Sequence, residues 1–169
     1  MIKLMDILRE NIAEGKQVGL IYHFTTYEQA LYIIQDGYSL RTASNRLYGG
    51  NPDPDFFSFT RNKNLKSPTI SGEVRFTIDG DGLSNKYKIQ PFADTRTTAD
   101  ESEERVDAVP IRGELNFSKY LKSIDVMYTS FDNNVRFIHS RAMSSRNRRN
   151  LINYLEDNNI KFNLVDSYK

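Results

Sequence analysis

Apolar positions recur along this chain with a helical period near its two ends and with a strand period between them. Ile2, Met5, Leu8 and Ile12, with Leu4 and Ile7 widening the stripe, predict an amphipathic helix over 2–14 that Gly15 ends. Leu20, Ile21, Tyr22 and Phe24 have strand preference and predict a first strand over 18–24. It runs straight into a helix over 26–36, whose stripe is Ala30, Leu31, Ile33 and Ile34. Thr25 or Thr26 caps that helix, Glu28 favours the positive end of its dipole, and Gly37 is placed to end it in a left-handed conformation.

Further strands are predicted over 56–61, 72–79, 103–109, 124–128 and 161–165, with brief ones at 38–41 and near Ile89. The cleanest is 72–79, where Val74, Phe76 and Ile78 share one face and Glu73, Arg75, Thr77 and Asp79 the other. A last helix is predicted over 145–158, with Leu151, Ile152 and Leu155 inward. The segment 131–143 reads equally as strand or helix. Gly49, Gly50, Pro52 and Pro54 predict a loop over 42–55, a threonine-rich loop follows at 91–100, and Gly80-Asp81-Gly82 reads as a turn. Many short strands with few helices predict an α+β fold, a mainly antiparallel sheet with peripheral helices.

The 169 residues bound this to a single domain over 1–169 with a real core. Cysteine is absent, which removes disulfides, thiolate metal sites and cysteine nucleophiles and fits a reducing compartment. The segment Met1 to Gly15 carries acids among its apolar residues and reads as neither signal peptide nor membrane span, so a cytoplasmic protein is expected. With 23 basic and 22 acidic side chains, a nucleic-acid or membrane partner must be met by a local patch. Two histidines far apart in sequence make a zinc site a poor fit, and no metal is expected. Phosphate-cradling glycine motifs and a nucleophile-elbow serine are also absent.

Three clusters stand apart from the folding pattern. His23 and Thr25 sit at a strand end beside a helix N-terminus, a region suited to anions. Arg61 leaves the aromatic strand Phe56-Phe57-Ser58-Phe59-Thr60 beside a polar connection. Glu103 and Glu104 open a strand although acidic residues are depleted there. Each has an ordinary reading: a satisfied rim histidine, a solvated arginine, an edge strand guarded by charge. A fourth feature is the basic run that includes Arg141, Arg146, Arg148 and Arg149, with no acid between Asp132 and Glu156. A solvated helix face is the ordinary reading, and phosphate or partner contact the functional one.

Tyr22-His23-Phe24-Thr25-Thr26, the helix ending at Gly37, the aromatic strand ending in Arg61, and Ser102-Glu103-Glu104-Arg105-Val106 resemble the ADP-ribosyltransferase fold. The likeness spans roughly residues 18–128 and extends to DNA-modifying toxin-type transferases and to small bacteriophage proteins with the same order of motifs. It implies a split sheet with NAD bound between its parts. His23 would hold the nicotinamide-side ribose or the nicotinamide end, with Thr25 nearby. Glu103, or else Glu104, would stabilise the ribose cation after nicotinamide leaves. Tyr22, Phe57 and Phe59 would supply aromatic wall, Arg61 would take the pyrophosphate, and the 42–55 loop would cover the ligand. The implied activity is ADP-ribosyl transfer from NAD to a macromolecule, nucleic acid slightly ahead of protein, by a phage-encoded protein acting in the host cytoplasm. The alternative is a catalytically inactive module of the same fold that docks on nucleic acid or a host protein.

Overall fold

The computed structural model describes residues 18–41, 56–64, 72–92, 103–107, 111–128 and 138–166. The expected helix over 2–14 and the loops at 42–55 and 93–100 lie outside the described residues.

Nine strands and three helices are described. In chain order they are β1 (Leu20–Thr25), α1 (Tyr27–Gln35), β2 (Ser39–Arg41), β3 (Phe56–Thr60), β4 (Val74–Asp79), α2 (Gly80–Ser84), β5 (Ile89–Phe92), β6 (Glu103–Asp107), β7 (Glu114–Asn116), a 3-10 turn at Ser118–Tyr120, β8 (Leu121–Met127), α3 (Ile138–Asp157) and β9 (Asn163–Val165). Seven strands form one sheet in the order β5-β6-β3-β1-β4-β8-β9, and β2 pairs with β7 in a second. All pairings are antiparallel except β8 with β9. The fold is therefore α+β with a mostly antiparallel sheet, as the sequence pattern predicts.

The period of two decides what the sheet buries. Ile21 on β1, Val74, Phe76 and Ile78 on β4, Ile124 and Val126 on β8, and Phe57 and Phe59 on β3 are all buried and belong to one core. Ala30, Ile33 and Ile34 of α1 and Leu151 and Leu155 of α3 close that core from outside the sheet. Tyr27 is pinned by its hydroxyl, which donates to the Met127 carbonyl at 2.7 Å.

Strand register sets a row of side chains across this face. Phe59 pairs with Glu104, His23 with Phe76, and Phe76 with Ile124. Tyr22 pairs with Thr60, which puts His23 beside Phe59. Glu104, Phe59, His23, Phe76 and Ile124 thus follow one another over five neighbouring strands.

Two local devices fix β1. At its start, Asp81 Oδ1 accepts from the Val18 and Gly19 N–H groups at 2.6 and 2.9 Å, and the Gly80 N–H donates to the Gly19 carbonyl at 2.8 Å. The Gly80-Asp81-Gly82 segment is thus more than the expected turn. It opens the short helix α2, capped by Asp79, and clamps β1. After its end, Gly37 at φ 66° terminates α1: Gly37 and Tyr38 N–H groups return to the Ile34 and Ile33 carbonyls at 3.1 and 2.8 Å.

The largest departure is α3. It starts at Ile138, not near residue 145, so Arg146, Arg148 and Arg149 lie well inside a 20-residue helix. The dipole acts within the terminal turns only, so it does not disfavour these three arginines. β5 extends through Pro91, and among the described strands it lies at the edge of the sheet, where proline is tolerated. No helix among the described residues is long and apolar enough to cross a membrane.

Candidate ligand cleft at the end of the first strand

His23 stands next to the middle of β1 on the core face, half-buried between two aromatic rings. Phe59 meets it edge-on at a centroid separation of 6.0 Å, and Phe76 stacks on it at 6.4 Å. Its Nδ1 lies 3.2 Å from the Ser58 carbonyl oxygen. A carbonyl can only accept, so Nδ1 carries the proton and donates. Desolvation by burial lowers the pKa of His23 below 6.5, against a smaller raising effect of the Ser58 hydrogen bond. At neutral pH the ring is uncharged, with an acceptor lone pair at Nε2.

Beyond His23 the chain passes Thr25 and enters α1. Thr26 caps the helix by accepting from the Gln29 N–H at 3.1 Å. The Tyr27 N–H donates to Glu73 Oε2 at 2.9 Å. The helix N-terminus that the sequence marks as suited to an anion thus receives one of the protein's own carboxylates.

His23 and Thr25 open onto a cleft of about 780 Å³. Its walls are the end of β1, one face of α1, β2, and the start of β3. Ile33, Leu40 and Phe57 give it an apolar floor. Gln29, Tyr32, Asp36 and Arg41 give it a polar rim. Arg41 grips Asp36 with two hydrogen bonds, Nε to Oδ2 at 2.7 Å and Nη2 to Oδ1 at 3.1 Å, and its Nη1 lies 3.3 Å from Glu114 Oε2. The Arg41 hydrogen bond holds the Asp36 carboxyl below its usual range, and Asp36 in turn raises Arg41. The rim cation is held in place, and its charge is shared with two carboxylates.

The remaining predicted residues fall in different places. Phe57 lines the cleft; Phe59 lies behind it, between His23 and Glu104 in the sheet row. Glu104 is 3% exposed and bound by Arg61, Nε to Oε1 at 2.6 Å. Neither of these two lines the cleft. Glu103 pairs with Thr60 and Phe92, so its backbone belongs to the alternate row, the one that holds Tyr22. Tyr22 lies across the sheet from His23, its ring 5.3 Å from the Arg75 guanidinium, which is itself paired with Asp125 at 2.8 Å. Arg141, Arg146, Arg148 and Arg149 belong to α3.

The structure thus joins His23, Thr25 and Phe57 at one cleft and ties Arg61 to Glu104 two strands away from β1's own column. Two interstrand spacings, about 10 Å, separate the His23 and Glu104 backbones. Gln29, Tyr32, Asp36 and Arg41 are cleft residues that sequence reasoning passes over. Gln29, Tyr32 and Asp36 lie at i, i+3 and i+7 on the polar face of α1, a pattern that reads as solvent-facing. An exposed tyrosine in that face is the one signal available.

Among the described residues no group of three or more histidine, aspartate and glutamate side chains could hold a metal ion. Comparison with family models, curated proteins and solved structures gives no match.

Proposed function

We propose that this cleft binds NAD and that the chain transfers ADP-ribose from it to a macromolecular acceptor. The observation that carries the reading is His23: a neutral imidazole with Nδ1–H committed to Ser58 and its acceptor nitrogen Nε2 bonded by no described residue, half-buried at a cleft wall. Such a nitrogen holds a donor, a ribose hydroxyl or a carboxamide N–H, and not a phosphate oxygen. The cleft volume lies within the range of small-molecule sites, with apolar floor and a few polar groups. Phe57 offers a flat wall for a ring. Arg41, on the cleft rim, would serve a phosphate only by exchanging it for Asp36 or Glu114, and Arg61 only by leaving Glu104.

In the transfer, the bond from ribose C1′ to the nicotinamide nitrogen breaks and its electron pair leaves with nicotinamide. An acceptor oxygen or nitrogen attacks C1′ and loses a proton. A carboxylate from Glu103 or Glu104 stabilises the cationic ribose. Glu104 lies on His23's face of the sheet but is held by Arg61, and Glu103 belongs to the opposite row with Tyr22, so Glu104, once released by Arg61, is the favoured candidate and Glu103 its neighbour.

The same ion pair supports a second reading. A glutamate locked by Arg61 outside the cleft wall suits a module that binds a nucleotide-type ligand without transfer. Incubation with labelled NAD and host extract separates the two. Transfer or NAD hydrolysis by the wild type, lost in Glu103→Ala or Glu104→Ala, supports the enzyme. A melting-temperature rise with NAD but no turnover in any extract supports the binding module.

A further inference from the structure

We propose that the outer edge of β9 is a homodimer interface, at which two copies of the chain pair their β9 strands antiparallel across a two-fold axis at Leu164. The inference is independent of the cleft and of its ligand.

β9 ends the seven-stranded sheet and pairs with β8 alone among the described strands. The Tyr128 N–H donates to the Val165 carbonyl at 2.8 Å, so Val165 turns its backbone groups towards β8. These groups alternate sides along a strand, so Leu164 turns its N–H and carbonyl outward. Its side chain is 52% exposed, one of four large apolar side chains so exposed among the described residues. Tyr128, joined to β9 by the bond just named, is another, so half of them belong to this edge. The opposite edge of the sheet, β5, carries Pro91, a residue that blunts an edge. Asn163-Leu164-Val165 carries neither proline nor charge.

A second copy is the occupant that this edge fits. A two-fold axis perpendicular to the sheet pairs identical strands antiparallel and keeps opposed side chains on one face, so the axis passes through a residue. With Leu164 on the axis, each Leu164 N–H donates to the Leu164 carbonyl of the other copy, and the two exposed leucine side chains pack side by side. The strand ends add charge complementarity. Lys161 and Asp166 flank β9, are exposed and form no ion pair with a described residue. The register through Leu164 sets Asp166 opposite Phe162 of the second copy, next to that copy's Lys161. An antiparallel pair therefore brings acid towards base at both ends, where a parallel pair would bring like charges together. Three residues make a short edge, so the pairing is weak and reverses on dilution.

The test is sedimentation equilibrium of the full chain from about 10 μM to about 1 mM, at about 50 mM salt. The wild type should pass from monomer to dimer within that range. Leu164→Pro removes the outward N–H and leaves the Val165 bond to Tyr128, and it should raise the dissociation constant at least about tenfold. Asp166→Lys should raise it about fivefold. Lys161→Glu with Asp166→Lys should return it to within about twofold of the wild type, because the exchanged charges are complementary again. The charge variants sit at exposed positions and should keep the wild-type melting curve, so they decide the matter even where Leu164→Pro lowers it. A monomer at every concentration overturns the proposal. So does a dimer that Leu164→Pro or Asp166→Lys leaves as tight as the wild type's, or a double exchange no tighter than Asp166→Lys alone. NAD is absent throughout, so either result leaves the reading of the cleft untouched.

Discussion

At the residue scale, His23 couples stability to pH. Its folded pKa lies below 6.5 because burial disfavours the imidazolium. Below 6.5 the unfolded chain therefore binds more protons than the folded one, and stability rises with pH through that window. The contribution is present in full above 6.5 and is lost as pH falls toward the folded pKa. Denaturation midpoints of wild type and His23→Asn at pH values on either side of 6.5 check this. The wild type should lose more stability on acidification than the variant, whose residue 23 no longer titrates; equal losses would assign the slope elsewhere. The Arg61–Glu104 pair gives a second expectation. Arg61→Ala leaves a buried carboxylate without its partner and should cost about 2 kcal/mol, moderated because Arg61 is itself partly in water. The Arg61→Ala/Glu104→Gln double variant should recover part of that loss in urea melts. His23, Arg61 and the two glutamates stand out in the sequence as residue types misplaced for their elements. That Arg61 and Glu104 satisfy each other is not legible there, because it depends on the pairing of β3 with β6.

At the element scale, local signals carry the most. The stripe of α1, its threonine cap and Gly37 are written within about a dozen residues, and the structure reproduces them. The alternation of Val74, Phe76 and Ile78 is equally local. The Gly80-Asp81-Gly82 segment misleads because its second role is distant. An alanine Cβ at residue 80 would meet the Gly19 carbonyl oxygen at 2.5 Å, a close approach of two backbones that sequence alone does not display. Gly80→Ala should cost about 1–3 kcal/mol through backbone displacement. Asp81→Ala, which frees the Val18 and Gly19 N–H groups near the exposed surface, should cost less; thermal melts rank the two. The early start of α3 is illegible for a different reason. Its first turns mix polar and apolar residues without a helical stripe, so period cannot tell them from strand.

At the scale of the whole molecule, β1 is the organising strand. It lies mid-sheet between β3 and β4, delivers His23 to the core face, and hands the chain to α1, whose polar side becomes a cleft wall. The α+β class follows from counting short strands, but the strand order does not, since neighbours in this sheet come from distant parts of the chain. The cleft depends on β2 and on α1's outer face meeting across that order, which explains why Gln29, Tyr32, Asp36 and Arg41 escape a reading by local pattern. On the function proposed above, this cleft takes NAD through His23. The most direct measurement is the melting temperature of the wild type and of His23→Asn over a titration of NAD and of nicotinamide. A ligand that binds only the folded state adds about 2.7 kcal/mol at a hundred times its Kd. Binding through His23 gives a concentration-dependent rise for the wild type with NAD, and a rise displaced to higher NAD concentration for His23→Asn. No rise with either ligand, or the same rise in both proteins, would contradict it.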